Sequence, residues 1–144
     1  MTAEPANVYL VKEWPGSKGI NYDKVPTLIR YNADGSVSWG YELDRASENR
    51  IEAIKLMLDP DQPKPVYVPD IDTKAVLAKY GKAPIEVSAD YLAQIFQHAT
   101  QKIASKYPPG YIDLLEKQYV LTVPAVWSDK AQDATLRVRI EASP

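Results

Sequence analysis

Residues 120–135, VLTVPAVWSDKAQDAT, run from a short apolar stretch through a Val-Pro-Ala turn into a polar segment opening on Ser128 and Asp129. The part from Tyr119 to Val123 is apolar almost without interruption, the pattern of a strand buried on both faces of a parallel sheet. Ser128 or Asp129 supplies the capping oxygen for a helix reaching about Ile140, with Asp133 and Arg137 as a supporting i,i+4 pair. A buried strand leading into a capped helix sets the expectation of an α/β fold.

The chain upstream reads in the same terms. Residues 8–14 (VYLVKEW) alternate well enough to predict a strand, and Pro15-Gly16 ends it. Residues 27–31 (TLIRY) and 36–43 (SVSWGYEL) are two β-rich runs joined by Asn32-Ala33-Asp34-Gly35, a hairpin signal, with Pro26 placed where its missing donor does no harm. Residues 47–58 (SENRIEAIKLML) predict a helix, with Ile51, Ile54 and Leu58 on one stripe, Ser47 as N-cap and Glu48 in the first turn. Asp59-Pro60 stops it, and a proline-rich connector near 59–70 follows. Residues 73–80 predict a short helix closed by Gly81. The strongest helix is predicted over 84–106, with Pro84 first and Tyr91, Leu92, Ile95, Phe96, Ala99 and Ile103 at helical spacing. Pro108-Pro109-Gly110 is a hard break, and residues 111–117 fit neither period.

Length and composition narrow the function. The 144 residues suit a single domain, and 45% apolar content is enough to give it a core. A net charge of −2 provides no basic footprint, which argues against nucleic acid as a partner. No apolar run approaches the roughly 20 residues that cross a bilayer, so no membrane is expected. The first ten residues lack the basic and apolar regions of a secretory signal, so the expected address is cytoplasmic, and the lack of cysteine agrees with it. One histidine and no cysteine exclude the usual zinc sites, thiol nucleophiles and redox pairs.

His98 is the sole possible base for a Ser-His-Asp triad, but it sits mid-helix among Phe96, Ala99 and Thr100, where packing or a solvent face is the better account. Residues 15–19 (PGSKG) place a lysine in a glycine-rich turn without the GxxxxGK[ST] spacing, so a plain turn is preferred over an anion cradle. Asp59, Asp61, Asp70 and Asp72 fit no calcium loop and read as solvated turn acids. Trp14, Trp39 and Trp127 lie at strand ends and read as packing rather than as a stacking surface.

Several ordered motifs carry a resemblance. Residues 82–92 (KAPIEVSADYL), 95–99 (IFQHA) and 120–129 (VLTVPAVWSD) resemble a divergent, fungal-type branch of the seventy-kilodalton heat-shock chaperones. Glu13-Trp14-Pro15-Gly16, Val25-Pro26-Thr27, Trp39-Gly40-Tyr41-Glu42 and residues 55–60 (KLMLDP) stand upstream in the order of that branch. The resemblance implies the N-terminal part of an actin-like ATPase domain (ribonuclease H-like), with a mixed sheet, flanking helices, and ATP with magnesium between two lobes. Such chemistry is positioning and electrostatics, so losing one phosphate clamp removes it.

Under that resemblance Lys55 would stand near the phosphates, with Pro124 and Gln132 on the side that relays nucleotide state. An ungapped match puts the lineage's phosphoryl-stabilising lysine on Ile54, beside Lys55, and its relay arginine on Gln132. The acidic-x-Gly-Thr-Thr hairpin belongs before residue 8, and the second phosphate hairpin belongs after the last helix. The expectation is therefore a partial domain, inactive toward ATP on its own and binding no cofactor tightly. In the implied sheet, residues 8–14 and 120–123 are flanking strands without their middle neighbours, so they either stay marginal or repack on each other. The alternative is a non-catalytic module docking onto a protein partner, or onto the remainder of the domain, through exposed sheet edges. A third reading is a working ATPase completed by residues outside this chain.

Overall fold

The Asn32-Ala33-Asp34-Gly35 connector closes as expected. The computed structural model describes residues 9–44, 46–58 and 73–122, with Asp129, Gln132 and Asp133. β1 (Leu28–Tyr31) and β2 (Val37–Trp39) pair antiparallel across that turn. The Asp34 carboxylate accepts from the Ser36 amide at 2.9 Å and from its hydroxyl at 2.6 Å, which holds its pKa below the usual carboxylate value. Asn32 Nδ2 reaches both Ser36 Oγ and Ser38 Oγ at 2.9 Å. After Trp39 the chain leaves the ladder for a 3-10 turn over Gly40–Glu42, whose Glu42 side chain accepts from the Trp39 amide.

The register explains the core. Ile29 lies opposite Trp39 on one side and opposite Ile51 of β3 (Ile51–Glu52) on the other, so three large apolar side chains form one row across the sheet. Among the described residues the strand order is β2-β1-β3 and both pairings are antiparallel, where a mixed sheet was expected. The result is an α/β arrangement with a small antiparallel sheet. Trp14, Ile54, Leu77, Val87 and Tyr91 close over the row from α1 (Ile54–Met57), α2 (Thr73–Tyr80), α3 (Pro84–Ala104) and the chain before the hairpin.

α2 and α3 match their expected positions. Gly81 follows α2, and Pro84 is the first residue of α3, where its missing N–H goes unneeded. Glu86 accepts from the Ala83 amide at 2.6 Å, and Ser88 donates to the Pro84 carbonyl at 2.8 Å. Val87 and Tyr91 are buried on the stripe, whereas Ile103 at its far end is exposed.

The helix expected over 47–58 is corrected. Ser47 caps no helix; its hydroxyl and the Asp44 carboxylate close a local turn at 3.0 Å. Asn49 and Ala53 adopt positive φ values of 54° and 53°, and between them the chain is a strand, leaving α1 only four residues. Ile51 and Ile54 satisfy a helical stripe as well as they satisfy this bent path. The open edge of β1 beside Ile29 accepts Ile51, and that pairing overrides the local preference.

The strand expected over 8–14 is also corrected. Residues 9–14 join no ladder, because Glu13 turns left-handed at φ 57° and drops the Trp14 indole into the core. There Trp14 Nε1 donates to the Tyr22 carbonyl at 2.9 Å. The strand expected over 119–123 is likewise absent in its described part: residues 119–122 join no ladder and are exposed. Among the described residues the sheet ends at β2 and β3, and residues 119–122 pair with neither. Of the last helix, Asp129, Gln132 and Asp133 are helical and exposed. Ser128, Val123, Trp127, Arg137 and the 59–70 connector with its aspartates lie outside the described residues.

Candidate functional site

Of the three residues named for a nucleotide, Lys55 is exposed on the first turn of α1 and Gln132 is exposed on a helical segment. Pro124 lies outside the described residues. His98 packs against Trp14 at 5.2 Å between ring centroids and against Trp39 at 6.2 Å. It is a wall of the aromatic cluster. Among the described residues no three His, Asp or Glu side chains gather as metal ligands. No described helix is long and apolar enough to cross a membrane.

A cleft opens where the chain before the hairpin passes the C-terminal end of α3. Its volume is about 820 Å³, within the range of about 300–1,000 Å³ usual for ligand sites. Tyr9, Val11, Asn21, Ile103, Lys106 and Tyr107 are among its walls. Lys12 pairs with Asp23 at 3.0 Å, and Lys102 with Glu13, whose carboxyl is held below its usual pKa by that hydrogen bond and charge. Lys106 stands over the Tyr9 ring at 5.1 Å and has no carboxylate partner among the described residues. The amides of residues 9–13 bond to no described atom, and of their carbonyls only that of Lys12 has a neighbour, His98 Nε2 at 3.4 Å. One side of the cleft is therefore a stretch of backbone most of whose amides and carbonyls bond to no other described residue.

A second polar cluster ties the hairpin to α3. Tyr31 donates to Asp90 Oδ2 at 2.5 Å, Lys82 reaches the same oxygen at 2.6 Å, and the Lys82 ammonium lies over the Tyr31 ring at 4.7 Å. Burial, then the bond to the Asp90 carboxylate, pushes the Tyr31 phenol well above its usual pKa, the wrong direction for a catalytic base. Burial pushes Tyr91, which donates to the Pro26 carbonyl at 2.8 Å, up to about 12. Both phenols bind their protons more tightly folded than unfolded. Stability is therefore full below the unfolded value of about 10 and falls as pH rises through it. Urea midpoints measured from pH 8 to pH 11 should decline above about pH 10. Tyr31→Phe should reduce that decline, and an unchanged slope in the variant would contradict the assignment.

Across and after the Pro108-Pro109-Gly110 break, residues 107–121 form an arm that exposes most of its large apolar side chains. Tyr107 and Tyr111 stack at 5.4 Å, a 3-10 turn spans Ile112–Leu114, and Tyr119 touches Phe96 edge-on at 5.1 Å. Leu114 is 84% exposed and Val120 82%, with Leu115 and Leu121 exposed between and beyond them. From Glu116 to Thr122 the backbone bonds to no described group. The sequence reading took only residues 119–123 of it as an apolar strand, left 111–117 open, and so missed the stretch as surface. The cue was present in the proline break that detaches it from α3. That residues 9–13 join no ladder had no cue, since alternation predicted them paired.

No family model, curated protein or solved structure matches this chain.

Proposed function

We propose that the chain is a protein-docking unit of heat-shock-seventy-like descent that does not turn over ATP by itself. The ordered motifs from Glu13 to Asp129 support the descent, and the exposed apolar arm supports the docking. The arm is the observation that carries the reading: exposed large apolar side chains gathered on one segment, Leu114, Leu115, Tyr119, Val120 and Leu121, are the mark of a surface that a partner covers. Covering it returns about 25 cal/mol for each Å² of apolar surface removed from water. The sheet edges are weaker candidates, because β2 and β3 are three and two residues long and offer few unpaired groups to an added strand.

The actin-like fold and the nucleotide remain with the lineage in this reading. Lys55 and Gln132 are exposed, and neither lines the cleft beside α3. Calorimetric titration with Mg-ATP, with phosphate release followed alongside, should give neither binding heat nor turnover. Micromolar binding with steady phosphate release would overturn the proposal. The docking half has its own readout in an apolar dye such as ANS. Leu114→Asp and Val120→Asp should lower dye fluorescence markedly while changing stability by no more than about 0.5 kcal/mol, as surface substitutions do.

A further inference from the structure

We propose that the cleft between residues 9–13 and the C-terminal end of α3 binds a small amphipathic carboxylate. The apolar body of this organic acid lies on the tyrosine walls, and its charge meets Lys106. The inference does not depend on the docking reading and stands whether or not the arm has a partner.

The charge of the cleft runs against that of the chain. The whole sequence carries a net charge of −2, yet Lys12, Lys102 and Lys106 line the cleft with Glu13 as its one carboxylate. Two of these cations are answered, Lys12 by Asp23 at 3.0 Å and Lys102 by Glu13. Lys106 has only the face of Tyr9, 5.1 Å from the ring centroid, and no carboxylate among the described residues. A bound anion supplies the missing partner, and water and salt screen a pair within a cleft less than one on open surface.

The remaining walls set the body of the ligand. Tyr9, Leu10, Ile103 and Tyr107 line the same cleft and are 44–70% exposed. An apolar body seated on them removes surface that folding left in water. Because Lys106 stands over the Tyr9 ring, one small molecule reaches both the cation and an apolar wall. The site is also partly ordered in advance. Tyr107 stacks on Tyr111 at 5.4 Å, and the Glu13–Lys102 pair ties the two walls across 89 positions, so less freedom is lost on binding. A carboxylate suits the site better than a phosphate. Phosphate sites draw on helix N-termini and on the arginine fork. This cleft has no arginine in its walls and lies at a helix C-terminus, whose dipole opposes a second negative charge.

The probe is cinnamate, titrated into the full chain while backbone amides are followed by NMR. Saturable shifts at residues 9–13 and 102–107 are expected, with a Kd in the millimolar range or below. Cinnamamide, neutral and of the same shape, should bind about fivefold more weakly, and cinnamyl phosphate no more tightly than the carboxylate. Lys106 is exposed, so its replacement leaves the fold intact. Lys106→Gln should weaken cinnamate about fivefold without changing cinnamamide, and Lys106→Arg should restore the difference. Equal binding of acid and amide, or no saturable shift with either, overturns the proposal. Tighter binding of the phosphate overturns the ligand class. Shifts confined to residues 114–121 overturn the site and leave the docking reading standing.

Discussion

Replacing Ile51 by alanine should lower the unfolding free energy by about 2–5 kcal/mol, the range for deleting a large aliphatic side chain from a packed core. Ile51 is 0% exposed, lies opposite Ile29 in the sheet register and is one of the largest fully buried side chains. Its loss opens a void where sheet and helices meet, and β3 is too short to shift as a unit and refill it. Domains are stable by about 5–15 kcal/mol in all, so the variant should approach partial unfolding at room temperature. Urea denaturation of Ile51→Ala beside Val120→Ala measures the contrast. The exposed site should move by no more than about 0.5 kcal/mol. A loss below about 1 kcal/mol at Ile51 would mean that β3 does not close the core.

The second large effect is expected at Gly16. Its φ is +77°, and a Cβ there would lie 2.4 Å from the Glu42 amide nitrogen and 2.5 Å from the Tyr41 carbonyl carbon. Both obstacles are backbone, so no side-chain rotation relieves them. Gly16→Ala therefore combines left-handed strain of about 1–2 kcal/mol with overpacking of about 1–3 kcal/mol. Gly19 separates the two terms. It has nearly the same φ, +81°, with nothing near its would-be Cβ. Gly19→Ala should show only the strain, and thermal midpoints of the two variants should differ by several degrees. Equal midpoints would place the 14–19 turn away from the Gly40–Glu42 turn.

How much was legible follows from where each signal is stored. The hairpin was readable because Asp34 and Gly35 make the turn from bonds within five residues. α2 and α3 were readable because their period, Pro84 and Gly81 are local. Trp14 and Trp39 were read as core or rim packing and are core, and His98, read as packing or a solvent face, packs against both. The 47–58 helix was misjudged because Ile51 is claimed by an edge 22 positions away in register with Ile29. Nothing within the segment announces that claim.

The candidate surface was harder to see. An apolar run at 119–122 reads identically whether a sheet buries it or water meets it, since hydropathy reports what a residue prefers and not what it touches. Residues 9–13 look like a strand for the same reason, and the positive φ at Glu13 that turns them out is a local cost borne by the burial of Trp14. The Tyr31–Asp90–Lys82 cluster joins residues 59 positions apart and has no local trace.

The order of residues alone establishes the elements whose hydrogen bonds and caps close over a few positions: the β1–β2 turn, α2, α3 and the break after Tyr107. The three-dimensional packing settles which apolar residues become core and which stay surface, because burial depends on partners distant along the chain. Ile51 and Val120 would serve equally well in a core. One faces Ile29, the other faces water, and only the assembled sheet has an edge to offer the first.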